Sequence, residues 1–103
     1  MPTRSANFLS LVDRDPANEL FRFSLAQALV AEGREPEARP HFEFCIAKKA
    51  DWMMPRILLG KNLLQAGLRS EARPLLEDAL KLAIEQHHET PEAELRFLLA
   101  SFD

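Results

Sequence analysis

Apolar positions recur along most of the chain at spacings of three and four, the period of helices that bury one face. Phe8, Leu11 and Val12 share a face of a short first segment, residues 5–14. The next segment is apolar at 20, 21, 23, 25, 26, 28, 29, 30 and 31, almost all round, so it must be touched on more than one side. Further stripes follow: Ala38, Phe42, Cys45 and Ile46; Ile57, Leu59, Leu63 and Leu64; Ala72, Leu76, Ala79, Leu80 and Ala83. A last stripe of Leu95, Leu98, Leu99 and Phe102 lies opposite Glu92, Glu94 and Arg96, the division expected of a capping helix. No strand-like alternation or Asn-Gly hairpin signal is present, and the pattern predicts an all-α protein.

Boundary chemistry divides these stripes. Asp15-Pro16 is the expected start of the second helix, since a proline at the first helical position loses no bond. Gly33 and Gly67 supply left-handed residues that end two helices. Glu35-Pro36, Asp51, Ser70 and Thr90-Pro91 are the expected starts of the others, and the helix that Ser70 opens is expected to run to about Gln86.

The chain also repeats itself. With an offset of 34, Leu25 falls on Leu59, Leu29 on Leu63, Gly33 on Gly67, and Glu37-Ala38-Arg39-Pro40 on Glu71-Ala72-Arg73-Pro74. Arg22/Arg56 and Glu43/Glu77 bring the identities to 9 of 34 positions. A fixed period of this size marks a stacked-repeat architecture. Both copies place a proline early in their second helix, where its missing N–H removes at most one backbone bond.

Leu25-Ala26-x-x-Leu29 with Ala38-x-x-x-Phe42, and Leu59-Gly60-x-x-Leu63 with Ala72-x-x-x-Leu76, resemble the tetratricopeptide repeat (TPR), a 34-residue helix-turn-helix unit. The chain departs from that signature at Arg22 and Arg56, where Trp is usual, and at Ala50 and Ile84, where the closing Pro is usual. The resemblance covers residues 15–84 and implies a right-handed helical-hairpin stack forming a single domain. Repeat 1 is then 15–48 and repeat 2 is 49–82, with an N-terminal short helix at 5–14 and a C-terminal capping helix at 90–102. Ala26, Gly60, Ala38 and Ala72 are the small residues that let paired helices approach closely.

Composition narrows the function. The net charge of -3 gives no general attraction to nucleic acid or to an anionic membrane surface. Cys45 is the only cysteine, so no intramolecular disulfide can form, and a reducing, cytoplasmic setting is expected. Residues 1–13 lack the apolar core of a leader peptide, and no apolar run approaches membrane-spanning length.

The family resemblance implies a non-catalytic protein-interaction module, an adaptor or scaffold, that holds a peptide along the concave surface formed by the first helix of each repeat. The corresponding positions are Leu20, Phe23, Gln27 and Val30, then Met54, Ile57, Lys61 and Leu64. Their mostly apolar character suits an apolar or amphipathic segment of another protein. The alternative is a homodimer that buries the same surface. Where one subclass of the family grips chaperone carboxylates with Lys and Asn, this chain has Phe23, Gln27 and Leu58, so that ligand is not expected.

Three other features were weighed. Trp52-Met53-Met54 has the composition of a contact hot spot, but its place at the turn between repeats favours packing there. Arg22 and Arg56 either project a basic pair into the groove or lay their stems along apolar surface. His41 and Cys45, four apart, supply two ligands where a structural zinc needs four, and no second pair has suitable spacing. Cys45 aligns with Ala79 and reads as a buried structural thiol; His87-His88 reads as a solvated loop. No catalytic constellation, metal site or cofactor motif is expected.

Each repeat in such an array relies on its neighbours for burial, so the outer helices protect apolar edges. Deleting residues 88–103 is expected to leave a chain that aggregates or loses its cooperative melt, read by circular dichroism and light scattering.

Overall fold

The computed structural model describes residues 3–102, and among them every regular element is helical. Six helices follow in order: α1 (Arg4–Arg14), α2 (Glu19–Ala31), α3 (Glu35–Lys48), α4 (Met53–Gln65), α5 (Arg69–Glu85) and α6 (Glu89–Ala100). The chain divides into two compact units, residues 1–50 and 51–103, each of three helices.

In the first unit α2 is the middle helix, with α1 and α3 both packed on it. In the second, α5 lies against both α4 and α6. The hairpins α2–α3 and α4–α5 bury the repeat positions: Leu25 and Leu59, Leu29 and Leu63, Ala38 and Ala72, Phe42 and Leu76, Cys45 and Ala79. Ala26 and Gly60, the remaining pair, are buried as well. The small residues set the helix separation. A β-carbon built on Gly60 would lie 2.6 Å from Leu76 Cδ2 and 3.8 Å from the Ala72 carbonyl oxygen. Ala26, at the same repeat position, is fully buried, and in that hairpin the Phe42 ring meets Phe23 edge-on at 6.1 Å.

The turn inside each hairpin is a Schellman motif closed twice over. Arg34 N donates to Leu29 O (2.8 Å) and Gly33 N to Val30 O (3.0 Å); Leu68 N and Gly67 N repeat these bonds to Leu63 O and Leu64 O at 2.9 and 3.0 Å. Gly33 and Gly67 sit at φ +75° and +79°, where a side chain is strained. A third copy of this turn joins α5 to α6. His88 N bonds Ala83 O and His87 N bonds Ile84 O, with His87 at φ +57° in the glycine's place. The pair expected to be a solvated loop is exposed and lies between helices, and it forms a hydrogen-bonded turn with a strained residue at its apex.

Several expected helix starts shift. Asp15 is the C-cap of α1, and Asn18 caps α2 by accepting from Phe21 N at 3.1 Å. Asp51 lies in the turn before α4, whose N-cap is Trp52, and its carbonyl accepts from Gln86 Nε2 at 2.8 Å. Ser70 and Thr90 fall inside the first turns of α5 and α6, whose N-caps are Leu68 and His88. The cause is common to these last two. A residue that closes the Schellman turn is already the N-cap of the next helix, so no side-chain cap is needed to set the boundary. Pro40 and Pro74 each occupy the sixth position of an unbroken helix, one turn deeper than expected.

Polar ties hold the outer helices. The Glu32 carboxylate accepts from Ser5 N (3.0 Å) and Ser5 Oγ (2.7 Å), which keep its pKa low. Arg34 spans Glu37 and Glu32. In the second unit Arg69 Nη2 donates to Ser101 O at 2.6 Å while its guanidinium lies 4.5 Å from the Phe102 ring centre.

A left-handed backbone costs an L-residue roughly 1–2 kcal/mol relative to glycine. Gly67→Ala is expected to lower unfolding free energy by about that amount, and His87→Gly to raise it by up to about 1 kcal/mol, in urea denaturation.

Candidate functional site

The first helices of the two hairpins carry the predicted binding face, and each is considered within its own unit. On α2, Leu20 is 62 % exposed and Gln27 is exposed, while Phe23 and Val30 are half-buried. On α4, Met54 is 41 % exposed and Leu64 half-buried, but Ile57 is only 5 % exposed. Lys61 is half-exposed and its ammonium is ion-paired with Glu94 of α6. Leu20 and Met54 are thus the predicted apolar residues most open to solvent. They lie 34 positions apart, at the same place in the repeat.

Arg22 and Arg56 do not form a free basic pair. Arg22 Nε donates to Pro16 O (3.0 Å), Nη1 lies 3.4 Å from His41 Nδ1, and the guanidinium sits 4.4 Å from the Phe44 ring centre. Arg56 Nη1 lies 3.6 Å from Asp78 Oδ2. Phe44 and Asp78 are themselves one period apart. At the position where the TPR signature has Trp, each arginine therefore reaches the same site on its partner helix, by a cation–π contact in one copy and an ion pair in the other.

Cys45 is fully buried and its Sγ donates to Glu19 O at 3.4 Å. Burial, with a smaller push from Glu19, raises the thiol to about 11. His41, beside it on the helix, has its pKa lowered by burial and then by the Arg22 charge. Among the described residues no group of three or more His, Cys, Asp or Glu side chains is placed to hold a metal ion.

Each unit also carries a cleft. In the first, about 290 Å³ lies above Leu25 and Leu29, rimmed by Leu9, Ser5, Arg34 and His41. In the second, about 210 Å³ is lined by Trp52, Met53, Met54, His88 and Pro91. Met54 thus belongs both to the predicted face and to a pocket of aromatic and thioether groups. The Leu9 cleft was missed from sequence, because its wall depends on α1 lying across α2. No helix of the described residues is long and apolar enough to cross a membrane.

Comparison with protein-family models, with curated proteins and with solved structures finds no match.

A thiol raised to about 11 and sealed from solvent is a poor nucleophile at pH 8. Native protein is expected to resist thiol-specific alkylation at that pH, and denaturant should release one reactive cysteine per chain at the unfolding midpoint.

Proposed function

We propose that this chain is a non-catalytic, cytoplasmic protein-interaction module whose hairpins are repeats of tetratricopeptide type. Its ligand is an apolar or amphipathic segment of another protein. The observation that carries this reading is the equivalence of Leu20 and Met54. A large apolar side chain is left in water at one repeat position in both copies, while the core positions around it are buried. Singly exposed apolar residues are ordinary on protein surfaces. The same exposure recurring with the period of the fold is less so.

Solvent exposure favours a smaller contact set than the one the family resemblance implies. In the first unit Leu20 offers accessible apolar surface, with Phe23 and Val30 partly exposed and Gln27 as a polar partner; in the second Met54 does so, with Leu64 partly exposed. Ile57 serves as support, and Lys61 becomes available to a ligand only by leaving Glu94. Exposed ion pairs of this kind hold by a fraction of a kcal/mol, so that exchange is cheap. The Trp52–Met54 cleft extends the apolar surface at the start of α4.

A library of amphipathic helical peptides, screened by fluorescence and mapped by amide chemical shifts, tests the reading. Binders are expected to perturb residues around Leu20, Phe23, Gln27, Met54 and Leu64. Leu20→Asp with Met54→Asp should weaken them at least tenfold, about 1.4 kcal/mol, with the helical spectrum unchanged. Perturbations confined to other surfaces, or affinities unmoved by the double substitution, would overturn it.

A further inference from the structure

The cleft of the second unit has a composition that the repeat does not require. About 210 Å³ is lined by Trp52, Met53, Met54, His88, Pro91 and Asp51, all within residues 51–103. Trp52 is the N-cap of α4, but no side-chain bond caps that helix. One period earlier Asn18 holds the position and does cap, by accepting from Phe21 N. Asp51, Trp52 and Met53 match Ala17, Asn18 and Glu19 of the first copy. The carboxylate, indole and thioether at these places are thus found in the second copy only.

The walls are in place before anything enters. Gln86 Nε2 donates to Asp51 O at 2.8 Å, which ties the end of α5 to the turn before α4. The bonds from His88 N to Ala83 O and from His87 N to Ile84 O fix the start of α6, and Pro91 with it. A preformed cleft spends little on ordering when it is filled. Its volume is below the roughly 300–1,000 Å³ of small-molecule sites and suits a single side chain of a larger partner.

Charge selects that side chain. Residues 51–103 hold nine acids and six bases, whereas residues 1–50 hold seven of each, so the net charge of -3 belongs to the second unit. Asp51 lines the cleft, and Glu85 and Glu89 adjoin the lining residues Gln86 and His88 in sequence. All three are exposed, and none is in an ion pair among the described residues. Arg56, the base of this unit nearest the lining in sequence, is engaged by Asp78. An acidic guest would be repelled, and an aliphatic one would leave the carboxylates unanswered. We infer that the cleft takes a basic side chain, arginine before lysine, and that the partner is a cationic amphipathic segment. The apolar stem lies against Met54 and Pro91, and the planar head stacks on the indole while it pairs with Asp51. This rests on the peptide-binding reading of α4 and adds the sign of the peptide's charge.

Trp52 is the only tryptophan, so its emission reports on this cleft directly. Three helical peptides with one Leu/Ala apolar face, and Arg, Gln or Glu on the polar face, are titrated by that emission and by amide chemical shifts. The Arg peptide is expected to bind about fivefold or more tightly than the Gln peptide, and the Glu peptide most weakly. The largest shifts should fall at Trp52, Met54 and His88. Asp51→Asn keeps the carbonyl that Gln86 uses and should remove most of the preference. Glu71→Gln, the same change of charge at the other end of α5, should leave it intact. Equal affinities with shifts at Met54 and Leu64 would overturn the cationic partner and leave the peptide-binding reading standing. An Arg preference that survives Asp51→Asn, or falls equally with Glu71→Gln, would overturn the assignment to this cleft. Failure of all three peptides to bind would remove both.

Discussion

The fold rests on helices packed closely at small residues, most plainly where only hydrogen fits between α4 and α5. Gly60 lies against Leu76 and Ala72, and Ala26, one period earlier, is fully buried. Dense interiors tolerate little excess volume, and an extra methylene in a full core forces strained rotamers or backbone shifts. The two copies solve the volume problem differently, with alanine and phenylalanine in one and glycine and leucine in the other. Both residues are larger in the first copy, so the spacing is kept while neither volume nor identity is. Period and spacing therefore persist where identity does not.

That persistence of spacing explains what was legible in the sequence. The 34-residue offset, the inward stripes and the left-handed glycines all follow from local rules, and Gly33 and Gly67 adopt the backbone those rules demand. Cap positions were less legible. Asp15, Asp51, Ser70 and Thr90 are good capping residues one to three positions from where the helices begin. At Ser70 and Thr90 closure of the preceding turn already sets the boundary, leaving Leu68 and His88 as caps that no propensity would select, while α2 takes Asn18 in place of Asp15. His87 was hidden for a related reason: the bonds of its turn hold it at positive φ against its own preference.

The candidate binding face was legible only as a list of positions on a helix. Which of them face water depends on neighbours remote in sequence. Glu94 engages Lys61, and Arg22 is already engaged by Pro16, Phe44 and His41. Spacing places side chains on a face, but it does not show which of them are already taken. The two residues that stay open, Leu20 and Met54, share no chemistry beyond being large and apolar.

Arginine at one repeat position serves both hairpins through unlike partners. Arg22 reaches the ring of Phe44 and Arg56 the carboxylate of Asp78, two residues one period apart on the facing helices. A flexible stem ending in a cation can engage either a π-face or a carboxylate, so the contact survives a change of partner chemistry that a comparison of identities alone would read as a loss.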